Sequence, residues 1–228
     1  MPYTFALFDA DHTLFDFARA EREAVSACLA ARGLPSDDRT IRLYSDINVG
    51  YWKMLERGEI TRDALKIARF QSLFDELGCK DDAADIAIDY ENNLAKQMFL
   101  IDGAEELLAS LHGRCQIYII TNGTATVQRP RLSRSPLTPY FDGCFISEEM
   151  GASKPDRAFF EQVAAAIPNF EPRKALVIGD SLTSDIQGGI NMGWDTCWYN
   201  PYGLPIPDGM PITYVANNFE AIHNILTR

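Results

Sequence analysis

Short apolar runs that end in polar residues recur along this chain, and they constrain its fold more than any other feature. They are Thr4 to Phe8, Gln116 to Ile120, Ala175 to Ile178 and Thr196 to Tyr199, with a weaker run from Cys144 to Ser147. Near-continuous apolar runs of this length are typical of strands buried on both faces. Stretches of helical spacing lie between most of them, namely Ala104 to Leu111, Ala158 to Ala166 and Ile186 to Met192. Strands that alternate with helices predict an α/β fold built on a parallel sheet.

Residues 17–97 show a different pattern. Their apolar residues recur at helical rather than alternating spacing, and no convincing strand is visible. These residues are Leu29, Leu43, Trp52, Leu65, Phe70, Phe74, Ile86, Ile88 and Leu94. We therefore predict a helical domain at 17–97, the helical insert, which follows the first strand. The α/β core domain would then consist of residues 1–16 and 98–228.

Composition excludes several partners. The chain has 228 residues, 46% of them hydrophobic, which is enough for a core and a smaller insert. Its net charge of −11 argues against a nucleic-acid polymer, which needs a basic stripe, but permits a small anionic substrate. No apolar run approaches the roughly 20 residues that span a bilayer, and no signal peptide is visible. We therefore predict a cytoplasmic protein without a membrane partner; the sequence leaves the oligomeric state open.

Four polar clusters stand where the predicted strands end or in the loops that follow. They are Asp9 with Asp11, the run Thr121-Asn122-Gly123, Lys154 before Pro155, and Gly179 to Asp185. In an open parallel sheet, ligands bind outside the carboxyl ends of the strands, so we expect all four clusters to meet in one crevice. Buried carboxylates are kept only when they are paired or bind a metal. The pattern therefore indicates a site where a hard cation and a phosphate meet.

The carboxylates in these clusters suggest a covalent phosphoryl transfer. We predict that Asp9 attacks phosphorus and forms an aspartyl phosphate. Because two anionic reactants repel, the step needs a divalent cation, and Mg²⁺ prefers a few carboxylates together with substrate phosphate. Asp180 and Asp185 supply further carboxylates. Neighbouring carboxylates should raise one pKa, which would let Asp11 carry the proton that the leaving alcohol needs.

The two remaining clusters suit the phosphate group itself. Thr121, with the backbone N–H groups of Asn122 and Gly123, can hold phosphate oxygens. Lys154 provides a point charge against the negative charge that develops in the reaction. Alone, the first three clusters are common turns or helix starts, whereas Gly179-Asp180-Ser181 followed by Asp185 is moderately specific. All four in this order, each after an apolar run, are a specific signal.

Taken together, the clusters resemble the four motifs of the haloacid dehalogenase superfamily. The matching segments are Phe8 to Leu14, Thr121 to Gly123, Lys154-Pro155 and Gly179-Asp180-x4-Asp185. The resemblance covers the whole chain and implies a Rossmann-like core with the helical insert as a type-1 cap. It implies Asp9 as nucleophile and Mg²⁺ ligand, and Asp11 as an acid/base that also ligates the metal through its backbone carbonyl. It further implies Asp180 as a ligand, with Asp185 near the metal or the Lys154 ammonium.

Two further segments narrow the resemblance. Ile146 to Glu149 and Asp185 to Gly193 are similar to house-cleaning 5′-nucleotidases, which dephosphorylate nucleoside monophosphates, often pyrimidine ones. The resemblance thus implies a small phosphorylated metabolite, a nucleotide, as substrate. Dehalogenases of the superfamily lack the second acidic residue, so Asp11 favours phosphate chemistry. Two alternatives stay open: a sugar-phosphate or phosphoglycolate phosphatase with the same machinery, and a catalytically silent phosphate-binding scaffold.

Several residues allow a structural as well as a functional interpretation. Pro130 should kink or end the helix expected after Gly123, whereas Pro155 suits a first helical position. Three arginines, Arg129, Arg131 and Arg134, could steer an anionic substrate, but we favour a solvated helix face for them. Aromatic residues of the insert, namely Tyr44, Tyr51 and Trp52, could stack on a base or pack in the core of the insert. We assign Trp194 and Trp198 to the core.

Overall fold

The computed structural model describes residues 2–228, which form a six-stranded parallel sheet flanked by helices. The strands are β1 (Phe5–Phe8), β2 (Gln116–Thr121), β3 (Gly143–Ile146), β4 (Ala175–Gly179), β5 (Asp195–Tyr199) and β6 (Tyr214–Ala216). Their order is β3-β2-β1-β4-β5-β6, and every neighbouring pair is parallel. This is the Rossmann order, in which the direction of the connections reverses beside β1. The predicted α/β fold with a Rossmann-like core is confirmed.

Ten α-helices accompany the described strands. They are α1 (Phe17–Ala31), α2 (Asp38–Glu56), α3 (Arg62–Leu77), α4 (Ala83–Leu94), α5 (Ala104–Leu111), α6 (Ala125–Arg134), α7 (Ser147–Met150), α8 (Arg157–Ala166), α9 (Gln187–Met192) and α10 (Phe219–Thr227). A π-helical turn, Leu182–Ile186, leads into α9. None of the helices in residues 2–228 combines the length and the apolar composition that a membrane span requires.

Helices α1 to α4 occupy the predicted insert, and side chains fix where each of them begins. Asp16, Asp37, Thr61 and Asp82 precede these helices, and each accepts a hydrogen bond from a backbone N–H of the first turn. Such caps satisfy N–H groups that have no partner inside the helix. The predicted helical character of the insert is therefore confirmed. Its boundaries as a separate domain at 17–97 stay a prediction.

The sheet separates two apolar cores because successive side chains of a strand point to opposite faces. Phe8 packs on one face with Leu108 of α5, and Leu7 packs on the other with Phe160 of α8. Both faces are covered, which explains why the strands are apolar throughout. A third cluster, around Tyr44 of α2, holds the helices of the insert together.

Two helix predictions need correction. Helix α6 runs through Pro130 to Arg134, so it does not end at the proline; the other expected effect, a kink at Pro130, stays a prediction. Its last turn is anchored from outside, because the Arg134 guanidinium donates to the backbone carbonyl of Ala95. Pro155 lies before α8 rather than at its first position. A turn closed by the Asp156 N–H on the Ser153 carbonyl, 2.8 Å apart, delays the start of that helix.

Strand β6 was not predicted. It has three residues, with Val215 exposed and Ala216 buried, and among residues 2–228 it pairs only with the end of β5. So short an edge strand carries too few alternations to be recognised by its spacing. The other five strands lie within a residue or two of the predicted runs.

Candidate active site

The four predicted clusters meet at the carboxyl end of the sheet. Asp9 follows β1, Thr121 ends β2, Lys154 lies in the loop after α7, and Asp180 follows β4. All of them line one cavity of about 450 Å³, which also receives side chains from α1 to α4. Small-molecule sites have volumes of about 300–1,000 Å³, so this cavity can hold a metabolite. We call it the active-site cavity.

The Lys154 ammonium is the centre of this arrangement. Its Nζ donates to Asp9 Oδ1 and to Asp185 Oδ1, both at 2.6 Å, and to the Ile120 carbonyl at 2.9 Å. All three N–H groups are therefore used. Lys154 is 1% exposed, and burial alone would lower its pKa. The two carboxylates outweigh that effect and hold the pKa above its usual value, so the ammonium stays charged.

Three carboxylates form an acidic cluster beside the ammonium. Asp9, Asp180 and Asp185 each place one oxygen within 4.8 Å of the others. Burial raises the pKa of Asp9 well above its usual range despite Lys154. Burial and the charge of Asp185 raise the pKa of Asp180 to about 6. An all-oxygen set of carboxylates that repel one another suits a hard divalent cation, so these residues could bind Mg²⁺.

Neighbouring side chains hold Asp180 in place. The indole Nε1 of Trp198 donates to the Asp180 carbonyl at 2.8 Å. The Thr13 hydroxyl accepts from the Asp180 N–H at 3.1 Å and lies 3.3 Å from its Oδ1. Trp198 and Trp194 are both buried, as predicted. For Trp198 the sequence pattern gave no sign of this hydrogen bond to a residue of the acidic cluster.

Asp185 is held just as closely. Its Oδ2 accepts from the Ser181 N–H at 3.1 Å, while its Oδ1 contacts Lys154. At Gly179 an added Cβ would lie 2.2 Å from Asp185 Oδ2, so this position accepts glycine alone. The end of β4 thus approaches the carboxylate more closely than any side chain would allow.

The loop 121–123 is tied to Lys154 by its backbone. The Asn122 side-chain amide donates to the Lys154 carbonyl at 2.8 Å and accepts from the Lys154 N–H at 2.9 Å. The Gly123 N–H donates to the Thr121 hydroxyl at 3.1 Å. Asn122 therefore couples two of the predicted motifs. Phosphate binding by Thr121, Asn122 and Gly123 stays a prediction, and in this structure the hydroxyl of Thr121 already engages one of the N–H groups.

The Asp11 side chain points to partners that the sequence did not indicate. Its Oδ1 accepts from Arg131 Nη1 and its Oδ2 from Gln128 Nε2, both at 2.6 Å. Arg131 Nη1 also donates to Gln128 Oε1 at 3.2 Å, so the three side chains form one group. The carboxylate of Asp11 thus lies outside the acidic cluster. Its predicted roles as acid/base and as ligand through its backbone carbonyl stay predictions.

The prediction of a solvated face was wrong for Arg131, which is fully buried. Its guanidinium lies 4.8 Å from the ring centroid of Phe15 and donates to the Gln97 carbonyl at 2.9 Å. Arg129 and Arg134 are exposed, as predicted. One signal could have identified the buried pair: Gln128 and Arg131 are three residues apart, and side chains at that spacing share a helix face.

A further arginine, which no sequence pattern indicated, joins the insert to the loop 121–123. Arg62, the first residue of α3, donates from Nη1 to the carbonyls of Asn122 at 2.5 Å and Gly123 at 3.3 Å. Its Nη2 donates to the Ser147 hydroxyl at 2.8 Å. Burial lowers the pKa of Arg62, and nearby carboxylates only partly offset this. The insert therefore contacts the backbone of the candidate phosphate loop directly.

Of the three aromatic residues that could stack on a base, only Trp52 lines the cavity. Tyr44 is fully buried in the core of the insert. Tyr51 hydrogen-bonds to Ser72 at 2.8 Å and does not line the cavity. Trp52 is half-buried and lines the active-site cavity. Core packing therefore explains Tyr44, whereas stacking on a ligand stays open for Trp52.

Comparisons with known proteins agree with this geometry. The family model for haloacid dehalogenase-like hydrolases matches residues 3–193. The chain is 40% identical over 229 residues to the pyrimidine 5′-nucleotidase PynA of Streptococcus pneumoniae, covering 100% of this chain and 97% of that protein. It is 31% identical over 231 residues to the pyrimidine 5′-nucleotidase YjjG of Escherichia coli, covering 100% of both. The crystal structure of the HAD-hydrolase YfnB of Bacillus subtilis bound to magnesium superposes with a TM-score of 0.94 at 37% identity, and each chain is covered completely. The chain therefore belongs to the haloacid dehalogenase-like hydrolases.

Proposed function

We propose that this hydrolase is a Mg²⁺-dependent phosphomonoesterase that acts on nucleoside 5′-monophosphates, with pyrimidine nucleotides preferred. One observation carries the proposal: a buried ammonium bridges Asp9 and Asp185 of the acidic cluster at the open end of the sheet, inside a cavity of metabolite size. The choice of nucleotide rests on the activity named for two relatives that match over nearly their whole length. A sugar-phosphate substrate has no comparable support.

The first half of the reaction is nucleophilic. An Asp9 carboxylate oxygen forms a bond to phosphorus, the ester P–O bond breaks, and the leaving 5′-oxygen takes a proton from Asp11. For this step the Asp11 carboxyl leaves the hydrogen bonds to Arg131 and Gln128 that it makes in this structure. Lys154, 2.6 Å from Asp9 Oδ1, offsets negative charge where the new bond forms. Asp9, Asp180 and Asp185 would hold Mg²⁺, which supplies positive charge against the phosphate and keeps these carboxylates ionised.

The second half regenerates the enzyme. A water molecule attacks the phosphorus of the aspartyl phosphate, gives its proton to Asp11, and releases inorganic phosphate and the free Asp9 carboxylate. Gln128 and Arg131, which each hold one oxygen of Asp11 at 2.6 Å, would hold this carboxylate between turnovers and release it for the reaction. The proton that Asp11 loses in the first half is thereby recovered in the second.

The helical insert, residues 17–97, serves in this proposal as the cap that closes over the substrate. Three of its helices contribute Glu21, Trp52 and Arg69 to the wall of the cavity that contains Asp9. Closing a site in this way excludes bulk water from the reactive phosphate. The leaving nucleoside would then contact the insert, while the phosphate contacts the core.

A phosphate-release panel tests the proposal. Purified protein is given p-nitrophenyl phosphate, UMP, CMP, AMP, glucose 6-phosphate and phosphoglycolate, each with and without Mg²⁺. We expect turnover only with the metal, and the highest kcat/KM with UMP or CMP. A preference for a sugar phosphate over every nucleotide would remove the nucleotidase assignment. A well-folded protein with no turnover of any compound would favour the silent scaffold.

The covalent route has its own test. Asp9→Asn should abolish turnover while leaving the fold intact, because the amide keeps the shape of the side chain but is a poor nucleophile. The matched control is Asp208→Asn, at an exposed position that does not line the cavity. Fluoroberyllate, a mimic of the acyl phosphate, should inhibit only in the presence of Mg²⁺. Substantial residual turnover in Asp9→Asn would exclude the aspartyl phosphate.

A further inference from the structure

A buried polar cluster of the insert lines the active-site cavity and has no part in the reaction described above. It consists of Glu21 on α1, Ser45 and Asn48 on α2, and Arg69 on α3. Glu21, Asn48 and Arg69 are between 2% and 4% exposed. Burying charged groups is costly even when they are paired, and an apolar wall would be at least as stable. Stability alone therefore gives no reason to keep this cluster, which we call the insert cluster.

Hydrogen bonds fix the order of the insert cluster. Glu21 accepts from the Asn48 side-chain amide at 2.7 Å and from the Ser45 hydroxyl at 2.6 Å, so both of its oxygens are engaged. Asn48 Oδ1 accepts from Arg69 Nη1 at 3.0 Å. Both oxygens of Glu21 are thus engaged within the cluster, and Arg69 is the last member of the chain of hydrogen bonds. This chain fixes the position of the guanidinium.

Arg69 keeps donors that the protein does not use. Its Nε donates to the Lys66 carbonyl at 3.3 Å and its Nη1 to Asn48, while Nη2 has no hydrogen-bond partner among residues 2–228. The guanidinium carbon lies 4.6 Å from the ring centroid of Tyr90 and 5.5 Å from that of Phe70. Such cation–π contacts limit the rotation of the planar group. The cavity therefore contains a positioned set of N–H donors that lacks an acceptor.

Unused donors in a cavity wall select an acceptor on the ligand. Every pyrimidine base carries a ring carbonyl at O2, and uracil and thymine carry a second at O4, whereas adenine carries none. A carbonyl oxygen accepts from a guanidinium with the added strength of a charged donor. Trp52 in the same cavity offers an apolar face for the base.

We propose that Arg69, positioned by Asn48 and Glu21, binds a ring carbonyl oxygen of the pyrimidine base and so makes the enzyme select pyrimidine over adenine nucleotides. The inference rests on the proposed function, since it assigns the residue that recognises the leaving nucleoside. It places recognition of the base in the insert and the chemistry in the core. Arg69 contacts the substrate but not the reacting phosphorus, so it acts on selectivity.

Selectivity of an Arg69 variant gives the first test. In Arg69→Gln we expect the ratio of kcat/KM for UMP to that for AMP to fall about 10- to 100-fold, mainly through the KM for UMP, because a hydrogen bond to a charged donor is lost. Arg57→Gln is the matched control, since Arg57 is exposed and pairs only with Glu59 among the described residues. A purely structural role for Arg69 would lower turnover of both nucleotides equally, and an unchanged ratio would overturn the proposal.

A second test uses the unaltered protein and so does not depend on the folding of a variant. UMP is compared with two analogues, one that lacks O2 and one that lacks O4. We expect one of them to lose at least about 10-fold in kcat/KM. Equal values for all three compounds would overturn the proposal. Turnover of p-nitrophenyl phosphate without turnover of any nucleotide would instead refute the proposed function, so the two failures are distinguishable.

Discussion

Replacing Lys154 with methionine removes the ammonium that bridges Asp9 and Asp185 while keeping a long, unbranched side chain. All three residues are at most 8% exposed, so the two carboxylates would face each other in a buried site without their shared cation. Removing one partner of a buried ion pair costs about 3–5 kcal/mol. Because Lys154 pairs with two carboxylates, we expect a loss of about 4–5 kcal/mol in the free energy of unfolding near pH 7.5 without divalent metal.

This cost should shrink in acid. Burial raises the pKa of Asp9, and Lys154 is the strongest influence that lowers it, so the variant should raise that pKa further. A carboxyl whose pKa is higher in the folded than in the unfolded state favours folding most at low pH, and this contribution is lost as the pH rises through the folded pKa. The difference in stability between the variant and the unaltered protein should therefore be smaller near pH 5 than near pH 7.5.

Urea unfolding followed by circular dichroism, in EDTA at both pH values, measures these differences. Lys174→Met is the matched control, because Lys174 is half exposed and forms a surface pair with Glu171 at 2.9 Å, and such pairs contribute little. A loss below about 1 kcal/mol for Lys154→Met near pH 7.5, or an equal loss at both pH values, would refute the reasoning. Turnover should also fall by at least about 100-fold, since a preorganised charge at the reacting group is removed.

Three further predictions concern the same end of the sheet. Gly179→Ala should lower kcat about 100-fold in a phosphate-release assay, because the added Cβ would lie 2.2 Å from Asp185 Oδ2. The control Gly50→Ala, at a position with open space around it, should keep full activity, and equal rates for the two variants would contradict the prediction. Since the pKa of Asp180 is about 6, Mg²⁺ should raise the melting temperature more near pH 7.5 than near pH 5, and a pH-independent rise would exclude Asp180 as a ligand. Arg62→Gln should lower kcat/KM about 10-fold by loosening the loop 121–123; unchanged kinetics would show that this contact is dispensable.

The position of the candidate chemistry could be predicted because its motifs are local in sequence. A parallel strand must be followed by a loop at its carboxyl end, so a polar residue directly after an apolar run lies at the same edge as its counterparts. That argument located Asp9, Thr121 and Asp180 without any knowledge of how the helices pack. Period and length sufficed for α5 as well, since the predicted and observed bounds of that helix agree.

The partners of Asp11 could not be predicted in this way. Arg131 follows Pro130 and the polar residues Gln128 and Arg129, a context typical of a solvated helix face. Its burial results from α6 packing against the loop after β1, which brings Arg131 to Asp11 across 120 residues of sequence. A helical repeat predicts which side chains share a face, but it does not predict whether another element covers that face.

The insert cluster shows the same limit in a stronger form. Glu21, Asn48 and Arg69 belong to three different helices, and each is a polar residue where helical spacing alone would equally allow contact with solvent. They become one group only because α1, α2 and α3 pack around a shared cavity. Catalytic carboxylates of this fold follow strands, so they stand at predictable positions in the sequence. The residues that contact a leaving group can come from any helix that reaches the cavity. The reaction class can therefore be predicted from the sequence, whereas selectivity for the substrate depends on how the helices pack.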